Sequence, residues 1–91
     1  MRFLRIVASI ERRRRARREF LETLKVACLQ EKQATESWQK NLYSLDRREA
    51  AIASRRSLRE LVSRYRRTYP DEIRAYLRRY EVRGFHRLLR R

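Results

Sequence analysis

Arginine supplies nearly all the side chains here that have a chemistry to offer. Twenty-three of the 91 residues are arginine, against three lysines, and the net charge is +15. The arginines are clustered: Arg12, Arg13, Arg14, Arg15, Arg17 and Arg18 around Ala16, then Arg47-Arg48, Arg55-Arg56, Arg59, Arg66-Arg67 and Arg78-Arg79. A guanidinium is planar, forked and permanently charged. It meets a phosphate with two parallel hydrogen bonds and stacks on flat rings. This density predicts contact with a polyanion, structured RNA first. Biased codon usage can exchange lysine for arginine, but it does not create net charge.

Other chemistries lack their parts. His86 stands alone in a basic tail, with no acid to orient it. Cys28 falls on the apolar stripe of a helix, where an inert buried thiol is expected. Glu11, Glu19, Glu22, Glu31 and Glu36 are spaced as helix-surface partners for arginine. No metal-ligand spacing, phosphate loop or nucleophile–base pair occurs in the sequence. The expectation is a binding protein and not an enzyme, with no cofactor, metal or small-molecule substrate.

The elements that must position the arginines are helices. One Gly and one Pro leave almost no turn vocabulary. Charged residues are 41% of the chain, so the core is thin; hydrophobic residues are 42%, too many for a disordered tail. A single cysteine cannot close an internal disulfide. No apolar run nears the roughly 20 residues that span a bilayer. An anionic membrane surface would also accept the cationic face of the second helix, but its aromatics and leucines are modest and interspersed with acids, so a membrane partner is not expected. Residues 1–91 read as a single small all-α protein, ordered by its partners and only partly helical without them.

A long N-terminal helix is predicted over about 3–40, with no breaker inside it. On it Phe20, Leu24 and Trp38 share one face and are expected to dock on a neighbouring protein. Asn41-Leu42-Tyr43-Ser44 reads as a turn, with Ser44 as N-cap. The second helix is predicted over 45–67, its apolar face made of Leu45, Ile52, Leu58, Leu61, Val62 and Tyr65. Pro70, Asp71 and Glu72 suit the start of a short third helix over 70–83, which Gly84 would stop. An extended basic tail, Phe85 to Arg91, follows. Tyr65, Tyr69, Tyr76 and Tyr80 interleave with arginines but sit at spacings that favour packing over base stacking.

Charge sorts the chain into three parts. Eight arginines against two glutamates give +6 over residues 1–19. Three lysines against four acids give −1 over 20–46, and fifteen arginines against five acids give +10 over 47–91. The ends suit phosphate and the middle suits protein. The start, with Arg2 and Arg5 among Phe3, Leu4, Ile6, Val7 and Ile10 and no acid before Glu11, has the character of an uncleaved mitochondrial signal.

From Glu36 to Val82 the chain resembles the mitochondrial ribosomal protein 63 family of the large subunit. The resemblance rests on Trp38 and Tyr43, then Arg48-Glu49-Ala50-Ala51 and Arg55-Arg56, then Tyr69-Pro70 leading into a short helix. It implies a structural role in the mitochondrial matrix, with rRNA phosphates and neighbouring ribosomal proteins as partners. Two other classes compete. One is a three-helix LYR-like adaptor, from which Leu42-Tyr43-Ser44 departs at its third residue. The other is a supernumerary subunit of a mitochondrial respiratory complex.

Overall fold

A computed structural model describes residues 2–89. The protein is all-α, with α1 (Arg2–Lys40), α2 (Leu45–Tyr65), α3 (Pro70–Arg79) and α4 (Phe85–Leu89). Met1, Arg90 and Arg91 lie outside the described residues.

The first turn forms as its residues dictate. Asn41 to Ser44 join α1 to α2, and the Ser44 hydroxyl accepts from the Arg47 backbone N–H at 3.2 Å. Asp46 in the first turn of α2 faces the positive end of the helix. α2 then runs back along α1. Arg47 donates to the Ser37 carbonyl at 3.0 Å, Arg55 faces Glu31, and Phe20 meets Tyr65 with ring centroids 4.5 Å apart. In this antiparallel register the last residue of α2 lies opposite Phe20. The N-terminal half of α1 therefore has no α2 partner.

Phe20, Leu24 and Cys28 of α1 pack against Leu58 and Val62 of α2, Ile73 and Leu77 of α3, and Val82 and Leu88. Phe20 also stacks on Tyr69, with ring centroids 4.7 Å apart. Tyr65, Tyr69, Tyr76 and Tyr80 all lie partly buried against this core, the packing role their spacing suggests. Of the expected α2 stripe, Leu58 and Val62 are buried and Leu61 and Tyr65 pack against the core, and only Leu45 and Ile52 depart from it. Ala51, Leu58 and Val62 form the buried line, while Leu45 and Ile52 are exposed.

Two expected helix ends are corrected, and with them the form of the tail. α2 ends at Tyr65, not at residue 67. Thr68 and Tyr69 both donate backbone hydrogen bonds to the Tyr65 carbonyl, and Tyr69, preceding Pro70, takes φ −132°. α3 ends at Arg79, not at residue 83. Val82 N–H bonds the Leu77 carbonyl and Glu81 N–H bonds the Arg78 carbonyl, a Schellman closure with Glu81 at φ 53°. The buried pair Leu77 and Val82 supplies the apolar contact that goes with this motif. Gly84, at φ 65°, instead turns the chain into α4. Of the tail expected to be extended, Phe85–Leu89 is helical, with Leu88 drawn into the core at 3% exposure, and its last two residues lie outside the described ones.

Candidate nucleic-acid interface

α1 has 39 residues, roughly 58 Å at the helical rise, and the molecule extends 63 × 22 × 19 Å. The long dimension is thus α1 itself. Residues 2–19 are exposed apart from a half-buried Ser9. Successive residues turn by about 100°, so Arg12, Arg13, Arg14, Arg15, Arg17 and Arg18 surround the axis as a sleeve. Arg14 lies 3.8 Å from Glu11 and Arg17 lies 3.8 Å from Glu72 of α3. Both are at the long end of ion-pair distance and both arginines are more than half exposed, so the pairs hold them only weakly. Arg12 Nε donates to the Ala8 carbonyl at 3.4 Å. Arg13, Arg15 and Arg18 have no ion-pair or hydrogen-bond partner among the described residues.

Nearer the N-terminus, Phe3, Leu4, Ile6, Val7 and Ile10 are between 41% and 75% exposed. Phe3, Ile6, Val7 and Ile10 recur at spacings of 3, 1 and 3, which forms an apolar line on one side of the helix. A cationic sleeve and an uncovered apolar stripe therefore share one projecting rod.

A second basic surface lies on the body. Arg48, Arg56, Arg59, Arg67 and Arg78 are exposed, with no ion pair or hydrogen bond to a described residue. Arg47 is exposed but holds the Ser37 carbonyl. Arg79 lies over the Tyr80 ring, 5.7 Å from its centroid. Arg66, half-buried beyond the end of α2, is also engaged.

Arg55 differs from the others. Its Nη1 lies 3.5 Å from Glu31 Oε1, and its Nη2 donates to the Gly84 carbonyl at 3.2 Å. Thr35 donates to the same Glu31 oxygen at 3.1 Å. Glu31 is 5% exposed, so it is a buried anion and not the surface partner expected of it. Arg55 is committed to neutralising that anion and to tying α2 to the turn before α4. It is therefore withdrawn from the phosphate-binding set. Burial, and then the Glu31 carboxylate, push the neighbouring Cys28 thiol from 9.0 up to about 12.

The docking triad is also corrected. Phe20 and Leu24 are 5% and 0% exposed, because the return of α2 and α3 covers their face. They belong to the protein's own core and cannot anchor a neighbour. Trp38 remains half-buried at the far end of the hairpin, beside a groove between α1 and α2. Sequence reasoning missed the tip next to it: Leu42 is 63% exposed, Tyr43 97% and Leu45 70%. Their clustering around the Ser44 cap was the available signal, since a turn leaves such residues little to pack on.

Among the described residues no group of three or more His, Cys, Asp or Glu side chains could hold a metal ion, and no helix is long and apolar enough to cross a membrane. Comparison with protein-family models, with curated proteins and with solved structures gives no match.

Proposed function

We propose that this chain is a structural RNA-binding protein of a ribonucleoprotein, the mitochondrial ribosome. Its arginines neutralise rRNA phosphates and hold local RNA geometry without reading sequence. The observation that carries this reading is the sleeve of α1, where arginines encircle a helix that has no α2 partner. Cations that close repel one another in water. They are at ease where phosphates line more than one wall. The apolar line beside the sleeve asks for protein cover, which neighbouring ribosomal proteins supply. The acid-poor start of α1 and the family resemblance over residues 36–82 support the mitochondrial matrix as the setting. A LYR-like adaptor or a respiratory-complex subunit would have no need of a net charge of +15.

The test is RNA binding as a function of salt. With about eight phosphate contacts, affinity for structured RNA falls by roughly three to five decades between about 50 and 200 mM salt. Changing Arg13, Arg14, Arg17 and Arg18 together to Lys weakens binding less than changing all four to Ala, because charge survives while the fork is lost. Salt-independent binding, or wild-type affinity in the four-Ala protein, would refute the assignment.

A further inference from the structure

We propose that the groove between α1 and α2 receives one unpaired nucleotide of the bound RNA, its base against Trp38 and its phosphate on Arg56 and Arg59. The proposal rests on the RNA-binding reading and deepens it. The groove measures about 340 Å³, within the range of sites that hold a small ligand. Ala51 and Ile52 make part of its lining apolar. The exposure of Ile52, unexpected for its stripe, follows from its place at this groove.

Two features select a nucleotide over other anions. The first is Trp38 itself. Its indole N–H is buried and has no hydrogen-bond partner, which is a costly state for a donor. A nucleobase carries in-plane acceptors that can meet such a donor edge to edge. The second is the charge pattern. Arg55 and Thr35 already satisfy Glu31 at the bottom of the groove. Arg56 and Arg59 line it with no ion pair or hydrogen bond to a described residue. The groove thus joins an unfilled donor, an apolar surface and two free guanidinium groups. A nucleotide matches that combination: an acceptor-bearing flat body carrying an anion. A duplex keeps its bases stacked inside and offers phosphate alone, so the groove distinguishes looped from paired RNA.

The experiment uses the whole chain, in which Trp38 is the one tryptophan and hence the source of indole fluorescence. Oligoadenylate, a blunt RNA duplex of equal phosphate number and polyglutamate are titrated separately. Binding is followed in parallel by the anisotropy of labelled RNA. Oligoadenylate is expected to change Trp38 emission saturably. The duplex binds but leaves the emission unchanged, and polyglutamate has no effect. Trp38→Phe keeps an aromatic ring and removes the donor. It should weaken oligoadenylate binding about fivefold, the equivalent of one neutral hydrogen bond, and leave duplex binding as it was. Arg56→Gln with Arg59→Gln, both on the exposed side of α2, should abolish the emission change without altering helicity. The groove assignment is overturned if duplex or polyglutamate moves the emission as much as oligoadenylate does, or if Trp38→Phe binds oligoadenylate like the wild type. If duplex binds and oligoadenylate never reaches Trp38, the groove fails while the RNA-binding reading stands. If neither RNA binds, both fall.

Discussion

Replacing Arg55 with Met separates the two roles a basic residue can have in this molecule. The Met side chain keeps much of the aliphatic stem and removes the charge. Glu31, 5% exposed, would then face the Thr35 hydroxyl without its cation. Removing one partner of a fully buried ion pair costs about 3–5 kcal/mol. The Arg55 side chain keeps 22% exposure and water can reach its place, so the cost falls below that range, to about 2–3 kcal/mol. Loss of the hydrogen bond to the Gly84 carbonyl also loosens the turn before α4. A domain of this size loses about 4–8 °C in Tm per kcal/mol, so Tm should fall by about 8–24 °C. Far-UV circular dichroism during heating reads this directly. Adding Glu31→Leu to Arg55→Met should restore most of the loss, because the stranded anion is gone. The dependence of RNA affinity on salt should keep its wild-type slope, since Arg55 contributes no phosphate contact. The reasoning fails if Tm hardly moves while the salt slope drops by about 1, the signature of one lost phosphate contact.

Gly84→Ala should destabilise the fold by about 1–2 kcal/mol, because φ 65° suits glycine, while the added Cβ meets nothing closer than the Arg55 guanidinium at an ordinary 3.4 Å; urea unfolding measures it. Cys28 should resist alkylation in the native protein at pH 8 and react once unfolded, as mass spectrometry can follow. Because its folded value, about 12, lies above its ordinary 9.0, the stability tied to the protonated thiol is fully present below pH 9 and is lost as pH rises from 9 towards 12. Hydrogen exchange should be fast over residues 2–15, which lack tertiary cover, and slow around Leu24 and Cys28; bound RNA should slow the first set.

The helices were legible because their signals are local. Ser44 caps α2, Pro70 opens α3, and the length of α1 follows from the lack of any breaker. What the sequence concealed is set by long-range packing. Phe20, Leu24 and Trp38 share one helical face, yet α2 and α3 cover the first two and leave the third half-open. Arg55 and Arg56 are adjacent and chemically identical, and only the position of Glu31 on another helix divides a structural clamp from a free cation. Gly84 looked like the stop for α3, but the contact between Leu77 and Val82 closed that helix earlier, with Glu81 in the left-handed region. The exposed tip at Tyr43 depends on how far α2 returns along α1, which no single segment records.

The continuity of α1 gives its two exposed surfaces different tolerances to rotation. A residue inserted between Arg18 and the first core residue, Phe20, would leave α1 helical, advance the outer segment by about 1.5 Å and spin it by about 100°. The arginine sleeve has the same charge in every direction, so after the spin it still presents cations to whatever phosphate surrounds it. The line of Phe3, Ile6, Val7 and Ile10 has one direction only and would be swung away from its counterpart. Three further inserted residues, making four in all, would bring the line back to within about 40° of its original bearing, with the segment about 6 Å further out. Electrostatic seating of this rod is therefore blind to helical phase, and its apolar seating is not. A series of one to four inserted residues would sort the contacts of the N-terminal segment by which property each of them follows.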